Sequence, residues 1–310
     1  MNEQVWERKL IEDLATEALK EQRRRRRWGI FFKLLGVAYF GVFLWIMWSG
    51  RSPDGVDGHP HTAVIELDGV IAANNPASAA RVNTALREAF KNDAVKGVVI
   101  KINSPGGSPV QAGAIYDEIK RLKATKPALP VYAVVEELCA SGGYYVAAAA
   151  DKIYVDKASL IGSIGVIMDG FGFTEAMQKF GVERRVYTAG DNKAFLDPFS
   201  PSVPRHVEHA NAMLQEIHAQ FIDAVRKGRG KRLKETPETF SGLVWTGQKS
   251  IELGLADATG TVSSVARDVI KAEKLRDYTE REPTFERLAR RLGGVAAQAF
   301  SEGMVETRYR

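Results

Sequence analysis

The chain has 310 residues, 45% of them hydrophobic and 26% charged, the proportions of an ordinary globular protein with room for a sizeable core. Its formal charge is +5, from 43 Lys and Arg against 38 Asp and Glu, and the run Arg23 to Arg27 alone carries five positive charges. The remainder is balanced, so a nucleic-acid partner has little support, and a single cysteine, Cys139, leaves no intramolecular disulfide.

Residues 1–22 place Trp6, Leu10, Leu14, Ala18 and Leu19 at near-helical spacing, which predicts a short cytoplasmic helix within a cytoplasmic N-terminal segment at 1–27. Residues 28–48, WGIFFKLLGVAYFGVFLWIMW, are apolar except for Lys33. As a helix this stretch is about 31 Å long, the thickness of a hydrocarbon core, so it reads as one transmembrane anchor in contact with lipid. Trp28, Trp45 and Trp48 sit near its ends, where amphipathic rings favour the interface, and Lys33 is placed to snorkel. The arginines ahead of it put the N-terminus in the cytoplasm and the rest of the chain on the other side. A cleaved signal peptide fits less well, because the apolar stretch is long for one and WIMWSGRSP lacks a small-x-small cleavage pattern.

Residues 49–60, rich in Gly, Pro and Asp, read as a linker to a folded domain at 61–277, and residues 278–310 as a peripheral C-terminal tail. Within the domain, AVIEL and GVVIKI predict strands around a helix at 78–91. A helix at 110–123, the strand VYAVVE and a small-residue helix after Ser141 follow. Then come the strands KIYV and IGVIM, a helix at 175–180, the strand ERRVYT, and helices at 205–227 and 262–273. Strands alternating with helices predict an α/β domain with a largely parallel sheet, and the doubly apolar strands predict cover on both faces.

Three glycine-rich turns stand out: NSPGGS at 103–108, CASGGYY at 139–145 and IGSIGV at 161–166. None is a G-x-G-x-x-G or Walker A sequence, and the first, following a strand and opening a helix, gathers backbone N–H groups suited to a developing negative charge. Ser141 also follows a strand and starts a helix, where it is either an N-cap or a nucleophile flanked by small glycines. A nucleophile needs a base. His59 and His61 lie in or beside the linker, and His206, His209 and His218 on a polar helix face where solvated histidines are expected; HVEH lacks metal-protease spacing and a further ligand, so no metal is expected. Lys193, in TAGDNKAFLDPFSP, remains. An ordinary lysine must lose about three units of pKa, ~4 kcal/mol, to serve at neutral pH.

In order behind an N-terminal anchor, INSPGGSP, ASGGYYVA, LIGSIGVI, AGDNKAFLDPFSP and WTGQKSIELGLAD resemble the short-form SppA signal peptide peptidases over about residues 61–275. The resemblance implies a ClpP/crotonase-like repeated ββα domain behind a single N-terminal transmembrane helix, and a membrane-anchored serine endopeptidase that degrades signal peptide remnants and other apolar peptides without a cofactor. It implies Ser141 as nucleophile and Lys193 as general base, backbone N–H groups of the Gly107 and Gly143 region as oxyanion donors, and Ser163 orienting the ammonium. It also implies a homo-oligomeric ring, an octamer, in which neighbouring protomers complete the dyad, at a bacterial inner membrane with the catalytic domain outside the cytoplasm. Three rivals stay open: a related peptidase with a dedicated substrate such as a stomatin-like protein, a crotonase-fold acyl-CoA enzyme, and a non-catalytic anchored scaffold.

Overall fold

A computed structural model describes residues 3–49 and 58–281; the greater part of the expected linker, and the expected tail beyond Arg281, lie outside the described residues. Glu3–Ser49 is one continuous helix, α1, where two separate stretches were expected. It includes Lys20–Trp45, long and apolar enough to cross a membrane. Gly58–Glu282 form a separate compact unit.

That unit is a mixed α/β domain. Its strands are β1 (His61–Asp68), β2 (Val95–Ser104), β3 (Val131–Ala140), β4 (Lys152–Val155), β5 (Leu160–Gly162), β6 (Val244–Thr246), β7 (Ala258–Thr259) and β8 (Leu275–Asp277). The main path is β6-β5-β3-β2-β1-β8, and β3 forks, pairing β4 near its start and β5 at its end. Every pairing is parallel except β5 with β6, as expected where helical crossovers join the strands.

The helices are α2 (Ala79–Lys91), α3 (Pro109–Thr125), α4 (Gly142–Ala147), α5 (Thr174–Lys179), α6 (Pro204–Arg229) and α7 (Gly247–Glu252), with a further helical stretch at Val262–Ser264 and Val265–Ile270. Alternate residues of β1 to β3, such as Ile65, Ile100 and Ala133, join Leu86, Ile119, Tyr144 and Val225 in the main core. The opposite face is covered only in part: Val99, Val134 and Tyr154 pack on Val265 and Ile270. Farther along that face Lys101 bridges Glu66 at 3.1 Å and Glu136 at 3.3 Å instead. The expected apolar cover therefore holds on the main-core face and only in part on the other.

Several expectations are corrected. Neither ERRVYT nor IGVIM is a strand; β5 occupies Leu160–Gly162, and no residue from Gly165 to Arg205 is buried. High β propensity is not enough without an edge to pair with. His206 is buried, with Nε2 3.2 Å from Asn192 Oδ1, and His218 Nε2 lies 3.1 Å from the Ile164 carbonyl, so the α6 histidines are not uniformly solvated. His61 is buried too, 3.0 Å from the Tyr278 hydroxyl. Tyr278 donates its N–H to Val64 O at 2.8 Å, so the chain stays attached to β1 past the boundary expected at 277.

Glu118 on α3 shows how charge is buried here. Arg121 holds its carboxyl down, burial opposes this and Arg87 reinforces it, with a net pKa of about 2. A carboxylate depressed in the folded state adds stability above its ordinary value of 4.5 and loses it as pH falls toward about 2. The urea midpoint is thus expected to drop across that window, and Glu118→Gln to flatten the drop; an unchanged profile would remove Glu118 from the acid response.

Candidate active site

The C-terminal edge of the parallel sheet carries the three glycine-rich turns, the edge where α/β sheets place ligands. Register brings two of them together. Ala140 pairs with Gly162, so the next residues, Ser141 and Ser163, leave adjacent strands side by side. Both have positive φ, +51° and +50°, a region non-glycine residues rarely adopt. Such strain costs about 1–3 kcal/mol and persists only where the surroundings impose it. They do: Ser141 N–H donates to Gly162 O and Ser163 N–H to Leu243 O, each at 2.8 Å.

Ser141 holds the N-cap position of α4, yet its side chain makes no capping hydrogen bond. The capping role is thereby set aside and the hydroxyl is left half-exposed at the turn. Beside it lies the 105–108 turn. A Cβ on Gly106 would fall 2.7 Å from both Ser141 Cβ and Gly142 N, and one on Gly142 would fall 3.3 Å from Gly107 N. Gly143 packs on Ser104, where an added Cβ would meet Ser104 O at 3.1 Å. Small residues in ASGGYYVAAAA therefore serve close approach at the front of α4. The back is clamped by the Tyr144 hydroxyl donating to Leu255 O at 2.8 Å.

Ser104 is a residue that sequence reasoning missed. Fully buried, its hydroxyl donates to Gly69 O at 2.6 Å and accepts from Gly106 N–H at 3.1 Å. It thus ties the loop after β1 to the glycine turn after β2. The signal available was a serine at the end of a strand and ahead of Pro-Gly-Gly. Gly107 is held by Ile71, whose carbonyl accepts from Ser108 N–H at 2.8 Å. At φ +147° an added Cβ would overlap that carbonyl, so Gly107→Ala is expected to cost more than about 2 kcal/mol, read as a lower urea midpoint. An unshifted midpoint would mean that the turn yields freely.

Lys193 makes no hydrogen bond to this cluster among the described residues. It lies exposed in a turn, its N–H donating to Gly190 O at 3.1 Å, and no hydrogen bond joins it to Ser141 among the described residues. The turn is held to α6 by Arg205 donating to Asp191 O at 3.2 Å and by Asn192 against His206. Around it the 165–205 segment folds on itself, with Phe173 stacked on Phe199 at 5.4 Å and Arg184 pairing Asp197 at 2.8 Å. It leaves large apolar side chains in the open, Ile167 81%, Phe180 83% and Tyr187 91% exposed. Among the described residues no group of three or more His, Cys, Asp or Glu could hold a metal ion.

A strained serine at a strand-to-helix turn, packed against glycine-rich turns at the edge of a parallel sheet, fits a serine-peptidase domain. The chain belongs to peptidase family S49: residues 123–276 match that family's description, and residues 65–161 match Clp protease. A Synechocystis protein provisionally named a protease is 31% identical over 202 residues, 64% of this chain and 69% of that one. An Enterococcus faecium protein provisionally named signal peptide peptidase SppA is 33% identical over 201 residues, 63% of this chain and 56% of its own. A longer Brucella abortus protein, named Na(+)/H(+) antiporter NhaA, is 44% identical over 209 residues, 66% of this chain but only 28% of that one. The chain thus spans a little over a quarter of the Brucella relative's length and just over half of the Enterococcus one's.

Proposed function

We propose that this protein is a membrane-anchored serine endopeptidase of the short-form SppA type, with a ClpP/crotonase-like domain and a Ser-Lys dyad. The observation that carries the reading is Ser141: it is held at φ +51° at the start of α4, does not cap, and lies against the Gly106–Gly107 turn. Neutral Lys193 takes the Ser141 proton as Oγ attacks a peptide carbonyl, and the resulting oxyanion is met by N–H groups of Gly107 and Gly143. The lysinium then protonates the leaving amine, and water, deprotonated in turn by Lys193, releases the acyl group from Ser141. Ser163, beside Ser141, orients the lysine.

Lys193 reaches this site from a neighbouring copy in a homo-oligomeric ring, an octamer. What supports this is its exposure on a segment whose side chains Ile167, Phe180 and Tyr187 stand open among the described residues, a pattern that marks interaction surfaces. Residues 1–27 lie in the cytoplasm, 28–48 anchor the chain in a bacterial inner membrane, 49–60 link, and the peptidase domain from residue 61, with the tail that follows it, faces away from the cytoplasm. Substrates are extended apolar peptides, chiefly signal peptide remnants.

An acylating serine probe tests the reading directly. Incubated with the assembled full-length protein, it is expected to add one label per chain, mapped by peptide mass to Ser141. A label elsewhere, or none on a protein shown to be assembled, would overturn the assignment.

A further inference from the structure

We propose that one face of α1, formed by Arg24, Arg27, Trp28 and Phe31, is a binding site for the headgroup of an anionic phospholipid. The inference rests on the reading that α1 crosses a membrane and adds to it a lipid preference and an address. Five consecutive arginines at 100° per residue ring the helix, but only some of them share a face with aromatic residues. Arg24, Arg27, Trp28 and Phe31 stand at i, i+3, i+4 and i+7, the spacing of one helical face. Arg26 points away from it, Arg25 is turned to Glu21, and Arg23, one turn before Arg27, flanks it.

The aromatic half is assembled in the structure. Trp28 and Phe31 meet edge to face at 5.7 Å, and Phe32 stacks on Trp28 at 5.7 Å. All three rings are more than half exposed, so the cluster is available to an external partner. The cationic half is available too. Among the described residues the ion pair within the arginine run is Arg25 with Glu21 at 3.2 Å, which engages the nearby carboxylate and leaves it to Arg25.

The chemistry of the two halves selects the partner. Guanidinium groups present planar paired donors that match a phosphate, and amphipathic rings settle at headgroup level just above the acyl chains. From Arg24 to Phe31 is about 10 Å along the axis, the depth from a headgroup phosphate to the upper chain region. A free phosphate ion would use the guanidinium groups and leave the rings idle. A phospholipid with net negative charge uses both, and a zwitterionic one offers its own cation against the arginines.

Two equal-charge variants of the full-length protein test this: Arg24→Gln with Arg27→Gln on the aromatic face, and Arg25→Gln with Arg26→Gln off it. Each is purified in detergent micelles containing equal mole fractions of phosphatidylglycerol and phosphatidylcholine, and retained lipid is counted by native mass spectrometry. The face pair is expected to lose at least fivefold of its phosphatidylglycerol, the off-face pair less than twofold, with phosphatidylcholine unchanged in both. Equal loss in the two pairs would reduce the site to diffuse charge and overturn the proposal, as would no loss in either. Wild type retaining neither lipid would sink the membrane reading of α1 itself, an outcome distinct from failure of the headgroup site.

Discussion

Ser141→Ala is expected to lower kcat/KM for an apolar fluorogenic peptide by at least ~10³-fold in the full-length protein, because removing an activated nucleophile leaves only binding and oxyanion stabilisation. The thermal midpoint should barely move. The Ser141 side chain makes no capping hydrogen bond, and alanine meets the same positive φ as serine, so little native stabilisation is lost. That pairing of results is what separates a nucleophile from a structural serine. A large fall in stability with proportionate loss of activity would assign Ser141 to the fold, and retained activity in a stable variant would end the peptidase reading.

Lys193→Ala is expected to be as inactive as Ser141→Ala when each is prepared alone. Co-expressed, the two variants should recover activity, because a ring that mixes them places an intact Ser141 beside a neighbour's intact Lys193. Random mixing in equal amounts sets about a quarter of the sites right, so recovery to about a quarter of the wild-type rate is the expected ceiling. A dyad closed within one protomer would recover nothing, since no chain then carries both groups. The experiment therefore reads the origin of the lysine, and Lys193→Ala retaining full activity on its own would remove it as the base.

Much of the architecture was legible because it is local. Apolar residues at 3.6 and 2 spacings around Val82, Leu86 and Phe90, and around Val98 and Ile100, mark α2 and β2 wherever the chain ends up. The same holds for the apolar stretch of α1, broken only by Lys33. The expected strands at 164–168 and 183–188 failed for the opposite reason. A strand exists only when a neighbouring edge accepts its hydrogen bonds, and the 165–205 segment leaves the sheet.

The candidate site divides along the same line. From the sequence by itself followed that Ser141 ends a strand and begins a helix, that glycine turns sit nearby, and that the histidines make a poor base, since residue types and turn chemistry are properties of short stretches. Only the tertiary structure decided that Ser141 takes a positive φ, that the parallel pairing of β3 with β5 sets Ser163 beside it, and that buried Ser104 braces the glycine turn. It also decided that Lys193 stands exposed and makes no hydrogen bond to Ser141 among the described residues. Backbone strain, register and burial depend on which distant segments press against a residue, and packing among segments tens of positions apart leaves no periodic trace in the order of the amino acids.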